Sequence, residues 1–187
     1  MLQAQKENRG RLVDAALRIT CRYGFGEASI ADIAEEARIP VGNVYYYFKT
    51  KDEIGGAVVE RRVWRLKKLL RELDKEDSPK NRLCGFVQIK VRNREELARS
   101  GCPVGTLCSE LRKQSPRLAA KAAAIFTEAL AWLETQFRAL GKGADSRGLA
   151  LHLLSATQGV SLLAHAFHDP RLIDIEAARL KRWIRSL

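Results

Sequence analysis

The chain contains few of the residues that mark disordered, secreted or metal-binding proteins. Its 187 residues include only 5 Pro and no long tract of Gly and Ser, which is not the composition of a disordered chain. The 4 Cys form no CxxC pair and have no zinc-ligand spacing with the 3 His. The N-terminus is polar and lacks the apolar core of a signal peptide. We therefore expect a cytoplasmic protein with reduced thiols and with no metal or other cofactor.

The longest run without a formal charge covers residues 148–167, and its 20 residues are enough to span a bilayer. Six polar side chains interrupt the run and would be costly in lipid: His152, Ser155, Thr157, Gln158, Ser161 and His165. We therefore expect a buried helix here and no membrane partner.

Positive charge exceeds negative charge, with 33 Lys and Arg against 22 Asp and Glu and a net charge of +11. Such a balance suits a polyanionic partner, although many basic proteins bind no nucleic acid. The excess is not concentrated near the N-terminus, because residues 1–75 hold 15 Lys and Arg against 11 Asp and Glu. Charge therefore supports a role in nucleic-acid binding but does not establish it.

The sequence predicts an all-α fold. No segment alternates polar and apolar residues as a half-buried strand does, whereas apolar residues recur at helical spacing along the chain. We expect about nine helices. They are predicted at about residues 10–23, 29–37, 40–48, 51–73 and 78–100, from 103 in a short helix, at 116–140 and 146–167, and from 170 to the C-terminus.

Two short helices joined by a short turn occur within residues 28–54. Ser29 is followed three residues later by Asp32, which resembles a capping box at the start of the first helix. Arg38 begins the turn, and Pro40 fits the first position of the second helix, where a missing N–H costs nothing. This arrangement is typical of a helix-turn-helix, whose second helix lies in the DNA major groove.

The second of these helices has an apolar face and an exposed face. Val44, Tyr47 and Phe48 fall at i, i+3 and i+4 and are predicted to point inward. The residues left for DNA are Val41, Gly42, Asn43, Tyr45 and Tyr46. Asn43 can bond an adenine edge, and Val41 can contact a thymine methyl group. Gly42 allows the backbone to approach the bases closely.

Residues 9–55 resemble the DNA-binding region of the TetR family of bacterial transcriptional regulators. The residues that carry the resemblance are Gly24-Phe25, SIADIAEEA from Ser29, and NVYYYFKTKDEI from Asn43. The chain departs from the family at Arg38, where Gly is common, so Arg38 needs an unusual backbone angle or a wider turn. It also departs at residues 40–41, where the family often has Ser and a basic residue.

The resemblance implies the roles of further residues and the division of the chain. Phosphate contacts are expected from Ser29, Tyr45 and Lys51, with Lys49 as an addition. Residues 1–50 would form the DNA-binding domain, and residues 51–187 a larger helical domain for ligand sensing and dimerisation. The protein would then be a homodimeric repressor that a small-molecule effector releases from a palindromic DNA operator.

The resemblance also assigns two sites in the second domain. The dimer interface is expected on the last two helices, at Leu163, Phe167, Trp183 and Ile184. Alternatively, these apolar helices complete the core of a single chain. An effector pocket would be lined by Trp64, Phe86, Phe126, Trp132 and Gln158, each of which could instead be an ordinary core residue.

A Gly-Cys pair at residues 101–102 resembles a branch of the family in which a thiol senses electrophiles or oxidants. Cys102 precedes a short predicted helix, whose positive end favours a thiolate, and Arg99 is a nearby cation. The alternative is a small buried cysteine that only fills space. Cys21, Cys84 and Cys108 lie on apolar helix faces and are interpreted as core residues.

Two other classes of function remain open at this stage. The chain has no Ser-His-Asp order and no phosphate-binding loop, so we do not expect an enzyme. A weak metal site could be formed by His165, His168 and Asp169, although such residues are commoner at ordinary helix ends. The third class is an interaction protein that uses its helical surface.

Overall fold

Helices account for all the regular secondary structure in the part of the chain that the structure describes. The computed structural model of the protein describes residues 2–187, with side chains from residue 5 onward. These residues form ten α-helices: α1 (Leu2–Glu27), α2 (Ile30–Ala37), α3 (Val41–Tyr47), α4 (Lys51–Leu73), α5 (Pro79–Arg92), α6 (Arg94–Ser100), α7 (Pro103–Gln114), α8 (Pro116–Ala139), α9 (Ser146–Phe167) and α10 (Arg171–Ser186). A short 3₁₀ turn, Gly143–Asp145, precedes α9. The predicted all-α class is confirmed.

Most predicted helix ends lie within one or two residues of the observed ends, and two predictions differ from the structure. The first helix begins at Leu2 instead of residue 10, because residues 2–9 continue the same helix, and it runs on to Glu27 instead of ending at residue 23, with a kink at Gly24. The segment predicted as one helix over residues 78–100 is two helices, α5 and α6. The break is at Asn93, whose side-chain amide donates to the Ile89 carbonyl (2.7 Å) and ends α5 by a local hydrogen bond.

The chain divides into two compact units, each built from two stretches of sequence. The first unit comprises the residues up to Trp64 together with Thr106–Ile125. The second comprises Arg65–Gly105 together with Phe126–Leu187. The division between residues 50 and 51 that the resemblance implies stays a prediction about function, whereas these two units follow packing between distant segments.

In the first unit, α1, α2 and α3 bury small and branched apolar side chains against one another. Leu12, Ile33 and Val44 are almost completely buried, one from each of these helices. Leu111 of α7 and Leu118 of α8 are also buried in this unit. The helix-turn-helix segment is thus anchored from one side, and its other side remains accessible.

The core of the second unit is formed by α5, the later part of α8, α9 and α10. Its fully buried residues include Leu83, Leu133, Phe137 and Leu153. Ile184 of α10 is also fully buried in this core. Its place in the dimer interface stays a prediction, and the structure shows its side chain packed within its own chain.

The uncharged helix α9 contributes one face to this core. With the turn before it, α9 is long and apolar enough to cross a membrane by length and composition alone, and a core helix has the same signature. On the buried face, the Thr157 hydroxyl donates to the Leu154 carbonyl and the Ser161 hydroxyl to the Thr157 carbonyl, at 2.8 and 2.7 Å. These bonds satisfy buried hydroxyls that would otherwise be costly.

Candidate nucleic-acid interface

The start of α2 is a complete capping box. Ser29 Oγ accepts a hydrogen bond from the Asp32 backbone N–H (3.0 Å), and Asp32 Oδ2 accepts from the Ser29 backbone N–H (3.0 Å). The Ser29 hydroxyl also donates to Asp32 Oδ2 (2.6 Å). These hydrogen bonds lower the pKa of the Asp32 carboxyl. The capping box predicted from the sequence is confirmed. A phosphate contact by the Ser29 hydroxyl would require its hydrogen to leave Asp32.

The turn between α2 and α3 depends on one left-handed residue. Arg38 has φ 53° and ψ 48°, which is the unusual backbone angle that the departure from glycine required. Its N–H bonds the Glu35 carbonyl (2.9 Å), and the Ile39 N–H bonds the Ala34 carbonyl (2.9 Å). Arg11 of α1 donates to the Ala37 carbonyl (2.7 Å) and so holds the end of α2 from outside the turn. The turn is therefore closed tightly without glycine.

The recognition helix α3 separates buried from exposed side chains as predicted. Val44 is fully buried and Phe48, which follows the helix, is 2% exposed. Tyr47 is half-buried, and its hydroxyl accepts a hydrogen bond from Asn8 (3.4 Å). The exposed residues are Val41, Gly42, Asn43, Tyr45 and Tyr46. The structure thus brings all five predicted base-facing or phosphate-facing residues of α3 onto one accessible surface.

The two lysines after α3 already have partners within the protein. Lys49 Nζ donates to the Tyr45 carbonyl (2.7 Å), near the C-terminal end of α3, where a cation is favourable. Lys51 Nζ donates to the Gly26 carbonyl (2.6 Å) and lies 5.1 Å from the centre of the Phe25 ring. Lys51 therefore ties the start of α4 to the C-terminal end of α1.

The last residues of α1 are kinked at Gly24, and two α7 side chains pack against this end. Gly24 has φ 86° and ψ 164°, and the neighbouring Phe25 N–H donates to the Glu110 carboxylate. A Cβ at Gly24 would lie 3.0 Å from Glu110 Cδ, and one at Gly26 would lie 2.6 Å from Gln114 Nε2. Glu110 and Gln114 thus occupy the space that glycine leaves open, one helical turn apart on α7.

Sequence reasoning missed the contribution of the first turns of α1 to this surface. Gln5 Nε2 donates to the Tyr46 hydroxyl (2.9 Å). The Arg9 guanidinium lies over the Phe48 ring, 4.9 Å from its centre. The available signal was helical spacing, since Gln5, Arg9 and Leu12 fall at i, i+4 and i+7.

The five residues predicted to line an effector pocket do not all belong to the same unit. Phe86 and Trp132 pack together with ring centres 6.1 Å apart, and Phe126 packs against the same core cluster of the second unit. Gln158 lies close to the backbone at Gly105, where an added Cβ would be 3.6 Å from Gln158 Oε1. Trp64 is 51% exposed and belongs to the first unit.

Cys102 is half-buried at the start of α7 and has two nearby donors. Its sulfur accepts from the Gly105 backbone N–H (3.5 Å) and lies 3.8 Å from Lys90 Nζ. The cation beside the thiol is therefore Lys90 and not Arg99, whose guanidinium pairs with Glu96 (3.5 Å).

The other cysteines lie in different environments, and none of the four forms a disulfide among the described residues. Cys84 packs against the core of the second unit, and burial raises its pKa. Cys108 donates to the Ala122 carbonyl (3.4 Å), and Cys21 accepts from Arg62 (2.7 Å). All three are half-buried, so they are less deeply buried than core residues are expected to be.

The histidines after α9 are used in local contacts. His165 Nδ1 lies 3.1 Å from the Ala98 carbonyl, and Asp169 accepts two side-chain hydrogen bonds from Arg171, both at 2.8 Å. The Arg171 guanidinium lowers the pKa of Asp169. Within the described residues, no three His, Cys, Asp or Glu side chains are grouped as metal ligands.

Apolar side chains remain exposed on the outer face of α9. Leu163 and Phe167, both predicted interface residues, are 49% and 69% exposed, and Leu151 and Leu162 are also exposed. Trp183 of α10 is half-buried, with its ring 5.8 Å from Phe137 and 5.0 Å from His152 between centres. Trp183 therefore packs mainly within its own chain, whereas Leu163 and Phe167 do not.

Two curated proteins are similar to parts of this chain. A helix-turn-helix-type transcriptional regulator of Lactococcus lactis is 28% identical over 109 residues, which are 57% of this chain and 56% of that protein. The transcriptional regulator AcuR of Cereibacter sphaeroides is 30% identical over 103 residues, or 54% of this chain and 47% of AcuR. The chain thus matches about half the length of these curated relatives.

Structure and family comparisons extend the similarity to the whole fold. A TetR transcriptional regulator of Chloroflexus aurantiacus has a TM-score of 0.86 at 19% identity, covering 99% of this chain and 97% of that one. Residues 12–58 match the family "Bacterial regulatory proteins, tetR family", and residues 86–178 match "Transcriptional regulator LmrA/YxaF-like, C-terminal domain". The chain belongs to the TetR family of bacterial transcriptional regulators.

Proposed function

We propose that the protein is a sequence-specific DNA-binding repressor that acts as a homodimer. The observation that carries this proposal is the geometry of α3, which is anchored by Val44 and Phe48 and leaves Asn43, Tyr45 and Tyr46 exposed. A helix of this kind can enter the major groove while the helices behind it keep its orientation fixed. The net charge of +11 favours association with a polyanion.

The exposed residues of α3 divide into base-reading and phosphate-binding groups. Asn43 has the amide that bonds both edge atoms of an adenine, and Val41 has the methyl groups that contact thymine. No atom lies within 4 Å of a Cβ built on Gly42, so the helix backbone is open to the bases there. Tyr45, Tyr46, Lys49 and Lys51, together with Ser29 at the start of α2, would bind phosphates.

Replacing Asn43 with alanine is expected to reduce discrimination between the best DNA site and its single-base variants by roughly 5- to 100-fold at one position. In contrast, Lys49→Ala should weaken binding to all sequences and reduce the slope of log affinity against log salt by about 1. The DNA sites for this test are duplexes that the purified protein selects from random sequence. Fluorescence anisotropy at several salt concentrations then measures both the discrimination between single-base variants and the salt slope.

Lys113→Ala is the matched control, since Lys113 is an exposed lysine on α7 and should leave both quantities unchanged. An unaltered base preference in the Asn43→Ala variant would reject the assignment of Asn43 to base reading. If the wild-type protein selects no sequence at all, the proposed function itself fails.

The same proposal includes release from DNA by a chemical signal, for which a thiol-reactive electrophile is the candidate. Cys102 supports it because its half-buried thiol lies at the start of α7, next to the Gly105 N–H and the Lys90 ammonium. An adduct on this sulfur would displace the first turn of α7. The same helix carries Glu110 and Gln114, which lie against the kinked end of α1 before α2.

Treatment with N-ethylmaleimide is expected to lower the DNA affinity of the wild-type protein at least about tenfold, a coupling of the size that allosteric effectors commonly have. The Cys102→Ser variant should keep its affinity after the same treatment. A variant with serine at Cys21, Cys84 and Cys108 but with Cys102 intact should respond like the wild type. Mass spectrometry reports the modification, and full binding by protein that is fully modified at Cys102 would refute the sensing role.

A further inference from the structure

Two amide side chains in the first turns of α1, those of Gln5 and Asn8, donate hydrogen bonds to tyrosine hydroxyls of the recognition helix. Gln5 Nε2 donates to the hydroxyl of Tyr46 at 2.9 Å, across 41 residues of sequence. Tyr46 is 65% exposed, so this bond lies at the surface that is proposed to bind DNA. The tetR-family match begins at residue 12, which leaves Gln5 outside it.

The helical period of α1 determines which residues can reach α3. Gln5, Asn8 and Leu12 fall at i, i+3 and i+7 and therefore share one face. Leu12 is completely buried in the first unit and fixes this face toward the core. Asn8 lies one turn before Leu12 on this face, and Gln5 lies two turns before it. The Asn8 amide donates to the Tyr47 hydroxyl, and the Gln5 amide donates to the Tyr46 hydroxyl.

These contacts hold the Tyr46 ring in one orientation. Its edge packs against the ring of Tyr47, with centres 5.2 Å apart and planes at 80°. The Gln5 amide holds the other end of the side chain, at the hydroxyl. An exposed tyrosine without such contacts would lose rotamer freedom when it binds, and that loss would weaken the complex.

The direction of the hydrogen bond between Gln5 and Tyr46 determines whether the Tyr46 hydroxyl can still donate its own hydrogen. Because the amide donates, the Tyr46 oxygen acts as an acceptor and keeps its own hydrogen available. No group among the described residues accepts that hydrogen. A hydroxyl that accepts one hydrogen bond becomes a better donor in the next. The arrangement therefore directs a strengthened O–H donor outward, where a phosphate oxygen or a base acceptor can receive it.

We propose that Gln5 is a positioning residue that orients and polarises the Tyr46 hydroxyl for a contact with DNA. The first turns of α1 thereby become part of the DNA-binding surface. This inference rests on the proposed function, since it concerns how the same surface binds its DNA. Under this proposal Gln5 affects DNA affinity only through Tyr46 and makes no contact of its own with DNA.

A double-mutant cycle on full-length protein tests this dependence, with a duplex that the wild-type protein selected from random sequence. Tyr46→Phe removes the donor and should weaken binding roughly tenfold, as expected for a hydrogen bond to a charged acceptor. Gln5→Met has similar length but no donor, and should weaken binding roughly threefold. In the Tyr46→Phe background, the Gln5→Met change should have no further effect, because the hydroxyl that Gln5 orients is already absent.

The matched control is the same cycle with Tyr45→Phe, since no bond joins Gln5 to Tyr45 and the two effects should multiply. Two readouts separate positioning from loss of structure. The thermal midpoint of each variant should equal that of the wild type, because the bond is exposed. The salt slope should not change with Gln5→Met, because no charge is removed.

The outcomes distinguish the inference from the function on which it rests. If the wild-type protein binds its selected DNA and the effects of Gln5→Met and Tyr46→Phe multiply, Gln5 does not act through Tyr46 and the inference is overturned. The inference is also overturned if Gln5→Met leaves the affinity unchanged at an unchanged thermal midpoint. If the wild-type protein binds no DNA, both the inference and the proposed function fall.

Discussion

Replacing Gly24 with alanine is expected to lower the free energy of unfolding by about 3 kcal/mol. Gly24 has φ 86° and ψ 164°, a region that is almost restricted to glycine and costs other residues about 1–3 kcal/mol. The added Cβ would also lie 3.0 Å from Glu110 Cδ and closer still to Glu110 Oε1. Glu110 would have to move and release the Phe25 N–H, and losing the partner of such a group costs about 1–3 kcal/mol.

Urea unfolding followed by circular dichroism measures this change, and a lower thermal midpoint by roughly 6–12 °C should accompany it. Gly42→Ala is the matched control, because Gly42 lies in a regular helix with no atom near the added Cβ. That change should leave stability unaltered or raise it by up to about 1 kcal/mol. A Gly24→Ala protein within about 0.5 kcal/mol of the wild type would contradict both the backbone angle and the Glu110 contact.

Features that depend on neighbouring residues could be predicted from the sequence. The capping box at Ser29 and Asp32 needs only a spacing of three residues, and the structure has both of its hydrogen bonds. The buried positions of Val44 and Phe48 follow from helical periodicity alone. The resemblance to the TetR family left two possibilities at Arg38, an unusual backbone angle or a wider turn, and the structure has the unusual angle.

Contacts between distant segments could not be predicted, because periodicity does not say which element covers a given face. The Lys51 ammonium bonds the Gly26 carbonyl 25 residues earlier, and the Glu110 carboxylate bonds a backbone N–H 85 residues earlier. The same limit explains why the burial of the apolar side chains of α9 and α10 could not be predicted. Ile184 and Phe167 both lie on apolar faces, yet one is fully buried in the chain's own core and the other is 69% exposed.

The exposed apolar face of α9 is the basis of the second prediction, which concerns dimerisation and affinity for DNA. Leu163 and Phe167 are one helical turn apart, and Leu151 and Leu162 extend the exposed apolar surface along the same helix. Such a surface is unfavourable in water, and a second copy of the chain with the same surface would cover it. A single helix-turn-helix contacts little DNA, so tight binding to a palindrome depends on two linked copies.

Phe167→Glu is therefore expected to produce a monomer of 21.0 kDa and to weaken binding to the palindromic site at least about 100-fold. The carboxylate would be buried without a partner in the dimer, whereas in the monomer it would remain in water. Light scattering with size-exclusion chromatography measures the mass, and anisotropy compares affinity for the full site with affinity for a half-site.

The variant should bind the half-site as well as the wild type does, because α3 is unaltered and only the linkage between two copies is lost. Ala131→Glu is the matched control, since Ala131 is an exposed residue of α8, and it should keep both the mass and the affinity of the wild type. A Phe167→Glu protein that remains dimeric would show that this face of α9 does not hold the subunits together. A dimeric protein that nevertheless lost affinity would mean that Phe167 acts on DNA binding by another route.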